Sequence, residues 1–442
     1  MGEASERKPP AVRVFLETYG CTLNQAESDI MAGILKSGGH TLCEKEEDAE
    51  ILIINTCTVK GATENKIIAR IKKLVAEGKP IVLAGCLSAD EKRLRSFAPT
   101  APIVKTMSIS RIADAIEDAI DGQATVFSDY ERKDRLPRIF TAPILRVPIN
   151  DGCVGHCNYC QTKIARPYLR SYSMKTVSGW ISEGISNGAK EIQLASQDLG
   201  AYGLDIRSDL IKLLDTIQGD DSEMRLRAVS ASGSGDFFIR LGMINPDHAK
   251  RMLPDIARHL KSPNMYRFIH IPLQSGSEKV CKDMERSHSV ADFVAIVKRL
   301  RDETPDLTIA TDIIVGYPTE REEDYQMTLD LMRSLKLDVV NVSKFSPRPG
   351  TKAKSMEQLD NGTIKRRSSE LVPIVREVSA EKNRELIGRT FKALVTEKDR
   401  DFKGRTMSYK TVVIRDFDGR LGDIVDVRII GAAYWGLFGE II

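Results

Sequence analysis

Nine residues, Gly152-Cys153-Val154-Gly155-His156-Cys157-Asn158-Tyr159-Cys160, constrain this chain more than any other stretch. Three thiols spaced C-x3-C-x2-C follow the apolar run 142–149, which reads as a buried strand. The thiols therefore sit on the loop that leaves it. A structural zinc ordinarily takes four ligands, and the next cysteine is as far away as Cys281. His156 adjoins Cys157 and cannot easily turn onto the same ion. Three thiolates suit a four-iron cluster, with three irons held by the protein and the fourth open to a ligand or substrate. A zinc knuckle is the competing reading.

Composition sets the frame for that loop. A chain of 442 residues is too long for one ordinary core, so two or three domains are expected. Apolar content of 42% and charged content of 29% suit a soluble globular protein. No apolar run approaches a membrane span, and residues 1–10 lack a signal-peptide core, so a cytoplasmic protein without membrane contact is expected. Eight cysteines in so long a chain make no disulfide framework, and cluster-building thiols imply a reducing compartment. Net charge is only +3, so any basic surface must be local.

The block 1–125 alternates strand-like segments (13–18, 51–54, 81–84, 103–104) with helix-like ones (27–36, 64–77, 90–97, 112–120), which predicts a parallel sheet covered by helices. Cys21, Cys57 and Cys86 follow the first three of those strands. Strand C-termini lie along one edge of a parallel sheet, so these thiols can converge although dozens of residues separate them. The pattern predicts a second three-thiolate site; ordinary buried core cysteines are the competing account. Cys43, at no strand end, reads as an ordinary half-buried thiol.

Residues 126–138 are polar and aperiodic and read as a linker. The block 139–380 then carries strands at 143–149, 191–195, 237–243, 266–272, 307–315 and 338–345, with helices at 176–187, 247–261, 291–303 and 323–335 among those between them. Six β/α units fit a partial parallel barrel with its site at the strand C-termini. Those ends are polar: Ala195-Ser196-Gln197-Asp198, Arg240, His270-Ile-Pro-Leu-Gln274-Ser-Gly-Ser277, Asp312-Ile-Ile-Val315-Gly316-Tyr-Pro318 and Phe345-Ser-Pro-Arg348-Pro-Gly-Thr351. One barrel mouth lined this way suits a cofactor joining an amino acid to a nucleoside. Each residue also has a turn or cap reading; His270 alone reads as a hydrogen-bonded structural residue, and Cys281 as structural. The stretch 219–235, rich in Gly, Ser and Asp, reads as an excursion before the third strand.

The block 381–442 is different in kind. Between residues 361 and 410 there are 13 Lys or Arg against 7 Asp or Glu. Strand-like runs at 391–396, 411–415, 424–430 and 437–442, punctuated by glycines, predict a small antiparallel barrel of the size that binds oligonucleotides. Lys398, Arg400, Lys403, Arg405 and Lys410, interleaved with Phe402 and Tyr409, are candidate phosphate and base contacts, against a solvated charged face as the alternative.

These motifs together resemble the methylthiotransferases of the radical S-adenosylmethionine class. Thr18-Tyr-Gly-Cys21-Thr-Leu-Asn24, Asn55-Thr-Cys57-Thr-Val59 and Ala84-Gly-Cys86 are similar to that family's auxiliary-cluster domain. The thiol loop, Ile239-Arg-Leu-Gly-Met-Ile-Asn-Pro246 and Ser346-Pro-Arg-Pro-Gly-Thr351 are similar to its partial (β/α)6 barrel, and the last block to its TRAM domain. Cys160-Gln-Thr-Lys-Ile-Ala-Arg166 and Leu169-Arg-Ser-Tyr172 resemble the archaeal and eukaryotic branch, which acts on N6-threonylcarbamoyladenosine beside the tRNA anticodon. Pro167 stands where Gly is expected, Leu87-Ser-Ala-Asp90 replaces the usual Pro-Gln, and the chain stops at Ile442 without the hydrophobic tail of eukaryotic members.

The resemblance implies two 4Fe-4S clusters and S-adenosyl-L-methionine. Cys153, Cys157 and Cys160 would hold the cluster whose open iron binds the cofactor; Cys21, Cys57 and Cys86 would hold an auxiliary cluster carrying the sulfur. Reductive cleavage of the cofactor would yield a radical that takes hydrogen from C2 of the adenine, where the methylated sulfur then adds. No catalytic residue beyond the cluster ligands is expected. Tyr159, Ser196, Gln197, Arg240, His270, Gln274, Val315 and Gly316 are the cofactor-contact candidates. Arg166, Arg170 and Arg348 are candidates for the substrate's carboxylate, and Lys398, Arg400, Phe402, Lys403 and Arg405 for RNA. The partners expected are the tRNA anticodon region and an electron donor. Action on isopentenyladenosine tRNA or a ribosomal protein, and a non-catalytic iron–sulfur RNA-binding protein, are the alternatives. Removal of 388–442 is expected to weaken RNA binding and spare the rest.

Overall fold

Residues Ile51-Leu-Ile-Ile-Asn-Thr56 are buried without exception, which a strand tolerates only when helices cover both faces of its sheet. That strand is the centre of a six-stranded parallel sheet. In the computed structural model, which describes residues 11–218 and 236–442, its strands are β1 (Arg13–Thr18), β2 (Thr41–Leu42), β3 (Ile51–Thr56), β4 (Ile81–Gly85), β5 (Ile103–Val104) and β6 (Val126–Phe127). Their order is β2-β1-β3-β4-β5-β6. Alternation along β3 divides the core in two. Ile51 and Ile53 pack with Ile30 and Met31 of the helix Thr22–Ser37, whereas Leu52 and Ile54 pack with Ile67, Ile71 and Leu74 of the helix Gly61–Ala76. The strand order reverses between β1 and β3, and ligands of doubly wound sheets bind at such a switch point.

The chain divides into two compact units, Met1–Ile139 with Gln161–Pro167, and Phe140–Cys160 with Tyr168–Ile442. The second contains β7 (Ile144–Pro148), the short ribbon β8 (Asn150–Asp151) and β9 (Arg170–Ser171), then β10 (Glu191–Ala195), β11 (Phe238–Arg240), β12 (Phe268–His270), β13 (Thr308–Val315) and β14 (Val339–Lys344). β7, β10 and β11 form one parallel sheet, and β12, β13 and β14 another. Parallel bridges Ile239–Met265 and Met243–His270 join them into the expected six-stranded partial barrel. The helix expected at 247–261 is two helices, Pro246–Arg251 and Leu253–Leu260. Pro254, which has no N–H to give and is tolerated only in a first turn, explains the break. The 219–235 excursion lies outside the described residues.

β15 (Thr390–Lys398), β16 (Phe402–Thr406), β17 (Thr411–Ile414), β18 (Ile424–Ala433) and β19 (Gly436–Ile441) close into a small barrel in the order β15-β16-β17-β19-β18. It is not the separable appendage that the sequence suggests. The turn after β16 inserts into the strand-start end of the partial barrel, where Arg267 N donates to Met407 O at 2.7 Å. Tyr409, at φ +59°, packs edge-on to Tyr266 and tilted against Phe268, at 4.8 and 5.0 Å between ring centres. Its hydroxyl donates to Glu191 Oε1 at 2.9 Å, and Tyr266 Oη donates to Glu191 Oε2 at 3.2 Å. Glu191 is only 1% exposed, so these donors stand in for water. Tyr409 is half-buried, so Tyr409→Ala is expected to cost less than the about 3–5 kcal/mol of a fully buried aromatic, and to lower the melting temperature of the whole unit. An unchanged melting temperature would show the two barrels to be energetically independent.

Candidate active site: two trios of thiols

In the first unit Cys21, Cys57 and Cys86 leave β1, β3 and β4, three neighbouring strands at the switch point. Cys21 is the residue before the helix Thr22–Ser37 and is exposed; Cys57 and Cys86 are 4% and 3% exposed. Gly20, at φ +107°, has no room for a side chain, because a Cβ would lie 2.9 Å from Cys57 Sγ. The three loops are tied by one lattice. Asn24 Nδ2 donates to Thr56 O at 2.7 Å and Tyr19 O at 3.0 Å, and Asn55 Nδ2 donates to Asn24 O at 2.8 Å. Thr56 Oγ1 accepts from Leu87 N at 3.0 Å, which fixes the turn after Cys86. Leu87 itself is buried, so the departure at 87–90 is absorbed into the core. Burial pushes the Cys86 thiol up to about 12; Arg166 opposes this, and nearby Cys21 and Cys57 add to it.

Arg166 is not presented to solvent. Its guanidinium pairs with the buried carboxylate of Glu27, Nη1 to Oε1 at 2.6 Å, and reaches Asn24 Oδ1 at 3.4 Å. Lys133 pairs with the same carboxylate. A substrate-carboxylate role for Arg166 gives way to a positional one behind the Asn24 lattice.

In the second unit the ribbon β8–β9 closes the base of the Cys153–Cys160 loop. Gly152, at φ +74°, presses on Tyr168 O so closely that a Cβ would lie 2.0 Å away, and its N–H donates to Gln197 Oε1 at 2.7 Å. A Cβ on Gly155 would lie 3.3 Å from Cys153 Sγ and 3.9 Å from Cys157 Sγ, so that glycine sits between two sulfurs. Gly155 N donates to Cys153 Sγ at 3.2 Å. Burial, reinforced by Asp198, pushes the Cys153 thiol up to about 12. Tyr159 packs on the cluster of Val280, Met284, Tyr317 and Phe345. Val154 and His156 are the exposed residues of the loop.

The polar strand ends divide into two groups. Gln197 holds the loop, and Ser196 Oγ accepts from Asp198 N at 2.9 Å. Asp198, fully buried, accepts from Asn245 Nδ2 at 2.7 Å and lies 3.0 Å from His248 Nδ1. His270 Nε2 pairs with Asp312 Oδ2 at 3.0 Å, and Asn341 donates to the same carboxylate at 2.9 Å. Gln274, at φ +79°, bridges Asp312 and Ile314 through its backbone. Val315 is fully buried, and the space beside Gly316 is taken by Ile364, 2.6 Å from where a Cβ would stand. Packing accounts for that glycine without a cofactor. Arg240 lies over the rings of Phe268 and Tyr409 at 5.2 and 5.6 Å, within the plug of the small barrel.

The other cations sort by burial. Arg348 is 8% exposed; Arg170 is exposed and lies over Tyr168. Lys398 and Arg400 are exposed, Lys403 pairs with Asp399, and Arg405 donates to Glu397 at 2.9 Å. Phe402 is not a base contact: it is core, 5.1 Å from the ring of Phe417. Tyr409 is the plug. The open aromatics of the small barrel are instead Tyr434 and Trp435, 45% and 50% exposed at the β18–β19 turn, with Arg376 4.7 Å over Tyr434. Their signal was a Tyr-Trp-Gly turn, where no core position calls for aromatics.

Residues 13–105 match the family described as Uncharacterized protein family UPF0004, 147–332 the Radical SAM superfamily, and 384–442 the TRAM domain. A Pyrococcus horikoshii protein named "Probable threonylcarbamoyladenosine tRNA methylthiotransferase" is 38% identical over 98% of this chain and 100% of its own. The Threonylcarbamoyladenosine tRNA methylthiotransferase of Drosophila melanogaster is 33% identical over 98% of this chain and 78% of its own. The chain belongs to the threonylcarbamoyladenosine tRNA methylthiotransferase family. Radical S-adenosylmethionine methyltransferase TsrM from Kitasatospora setae, 12% identical, shares the fold with a TM-score of 0.55 over 78% of this chain and 77% of that one. As a methylthiotransferase of the radical SAM superfamily the chain is a transferase that uses a 4Fe-4S cluster and S-adenosylmethionine. Among the described residues no helix is long and apolar enough to cross a membrane.

In this methylthiotransferase Arg166→Ala would leave Glu27 buried with one partner fewer. Leaving a buried charge unpaired costs about 3–5 kcal/mol; Lys133 stays on Glu27, so a smaller loss is expected, read as a fall in melting temperature without RNA present. Full stability with weakened RNA binding would return Arg166 to the substrate.

Proposed function

We propose that this chain adds a methylthio group to C2 of N6-threonylcarbamoyladenosine beside the tRNA anticodon, with two four-iron clusters. The carrying observation is that Cys21, Cys57 and Cys86 follow three neighbouring strands and Cys153, Cys157 and Cys160 share one loop, in a chain that parallels these relatives along nearly its whole length.

Both trios fit such clusters. Each supplies three soft donors and no fourth, which leaves one iron open. Cys86 is buried and Cys153 half-buried where an isolated thiolate is disfavoured, so a bound metal is what would keep them ionised. When bound, the clusters and S-adenosylmethionine supply the one-electron chemistry and the sulfur that an inert aromatic C–H requires. The chain's residues do the holding. Cys153, Cys157 and Cys160 bind one cluster, Cys21, Cys57 and Cys86 the other. Gln197 fastens the first loop through Gly152, and Asn24 with Thr56 fastens the other three. Tyr159, Ser196 and Gln274 are the polar or aromatic groups of that mouth left for the cofactor.

Arg170, exposed beside the thiol loop, is the candidate for the threonylcarbamoyl carboxylate. Lys398 and Arg400, at the β15–β16 turn, are the candidates for RNA phosphates, and Tyr434 and Trp435, at the β18–β19 turn at the other end of the small barrel, for bases. These basic and aromatic groups favour tRNA over a ribosomal protein. A cytoplasmic enzyme reduced by an external electron donor completes the reading.

The test supplies purified, reconstituted protein with tRNA carrying or lacking the threonylcarbamoyl group. Methylthiolation of the carrying tRNA alone is expected; equal reaction with both would sink the substrate assignment. Iron should be about eight per chain on the four-iron-per-cluster reading, and about half that when either trio is changed to Ala. Arg170→Ala should lower modification while iron content stays whole.

A further inference from the structure

Tyr168 is 65% exposed, more than any other large apolar side chain among the described residues. One exposed aromatic on a loose loop would need no explanation, but this ring stands on fixed backbone. Pro167, standing where Gly is expected, sets the φ of the residue before it. The Tyr168 carbonyl is wedged against Gly152 at the base of the thiol loop, and Arg170 and Ser171 then enter the ribbon β8–β9. The ring is therefore presented at the rim of the Cys153–Cys160 loop, with the Arg170 guanidinium 5.8 Å from its centre.

A second segment is tied to the same rim. After β10 the chain turns at 203–208, and buried Ser171 holds that turn to β9. Its N–H donates to Asp205 Oδ2 at 2.8 Å, and its Oγ accepts from Gly203 N at 2.9 Å. Ile206 N and Ser208 N both donate to Gly203 O, at 3.0 and 2.8 Å, which closes the turn. Leu204 and Ile206 are nonetheless exposed. Arg207 is exposed too, at φ +55°, and has no partner among the described residues. The acids of the turn are engaged: Asp205 by Ser171, and Asp209 by Lys212, whose N–H donates to Oδ1 at 2.9 Å and whose Nζ lies 3.3 Å from Oδ2.

A base that is to react at the thiol loop has to leave its stack, and its neighbour in the strand loses a partner when it does. Unstacked bases of single-stranded RNA are held on aromatic rings, with cations tracking the backbone. A fixed ring beside the thiol loop, with apolar side chains and an unengaged arginine on the adjoining turn, meets both needs. We propose that Tyr168 is the stacking platform for the nucleobase adjoining the target adenosine, with Leu204 and Ile206 as its apolar border and Arg207 on a phosphate of the same strand. The proposal rests on the reading that RNA is the substrate, and it adds a residue that positions the strand at the thiol loop itself. An apolar rim also admits a docked protein; Arg170 beside the ring and Arg207 on the turn favour a polyanion.

The measurement is the dissociation constant of the full, reconstituted chain for an anticodon stem–loop RNA bearing the threonylcarbamoyl group. The same RNA with an abasic site in place of one or the other neighbour of the target is measured beside it. Tyr168→Ala should weaken binding of the intact RNA about fivefold or more, the lower end of what one stacked base contributes, with iron content unchanged. Tyr168→Phe, which keeps the ring, should bind as the native protein does. Removal of one neighbouring base should weaken the native protein to a similar extent and leave Tyr168→Ala nearly unaffected, because both changes delete the same contact. Arg207→Gln should lower the slope of log affinity against log salt by about one. Full RNA affinity in Tyr168→Ala overturns the platform and leaves the rim to a protein partner. So does a phenylalanine variant as weak as the alanine one, and so do ring and base losses that simply add. An unchanged salt slope overturns the phosphate contact. Should Tyr168→Ala lose iron, the native protein decides: a penalty for neither abasic RNA overturns the platform, and a penalty for one that Tyr168→Phe shares supports it. Native protein that binds none of these RNAs overturns the substrate reading itself, and the platform with it.

Discussion

Burial pushes the Cys86 thiol and the half-buried Cys153 thiol up to about 12, and much of this molecule bears on how such thiols could serve as the ligands of the proposed clusters. A metal bound there would supply the charge that water does not, and would release protons as it did so. Such coupling works only if the loops keep their shape with the protons on. Asn24 and Thr56 do this for one trio with donors and acceptors that bear no charge; Gln197 and Asn245 do it for the other. Neutral amides suit the task, since a carboxylate beside the sulfurs would raise the cost of each thiolate further. Asp198 is the exception, 4.0 Å from Cys153 Sγ, and its charge is drawn off by Asn245 and His248.

The second dependence is mechanical. A parallel partial barrel leaves its strand-start end open, and here Glu191 sits at that end, buried at the first position of β10. A lone buried carboxylate is costly. Tyr266, Tyr409 and Gln193 give it three hydrogen bonds, and one of those donors belongs to the small barrel. Burial also raises the Tyr266 and Tyr409 hydroxyls, so they stay protonated donors. The piece that bears the basic surface is therefore joined to the catalytic sheet through the far end from its thiols. RNA held on that piece is held by a body whose position the sheet itself fixes.

Sequence carried the element order because its signal is periodic. The buried run of β3, the six β/α units and the thiols at strand ends were all legible, and the helix 247–261 failed only at Pro254. Side-chain roles were less legible, for a physical reason. A cation or an aromatic is placed by what lies opposite it in three dimensions, and sequence spacing says nothing of that. Phe402 alternates with Lys403 and Arg405 as a stacking residue would, yet alternation along β16 is also what turns one face into the barrel core. Gly316 looked like room for a ligand, and Ile364, 48 positions later, fills it. Asn24 and Asn55 were quoted within motifs, but nothing local shows that each donates to the loop of the other.

Arginine shows the point most sharply, because one residue type serves four ends here. Arg166 neutralises Glu27 behind the auxiliary thiols, and Arg240 lies between two rings of the plug. Arg286 meets a sulfur, and Arg170 faces outward over Tyr168. A count of basic residues treats these as equal contributions to a surface. Arg166 is an internal charge matched to Glu27, Arg240 and Arg170 each lie over aromatic rings, and Arg286 is half-buried against a thiol. A net charge of +3 therefore understates how strongly this chain uses cations, since much of that use is hidden inside it. What a count cannot show is which partner the fold sets opposite each one: a carboxylate for Arg166, rings for Arg240 and Arg170, a thiol and two carbonyl oxygens for Arg286.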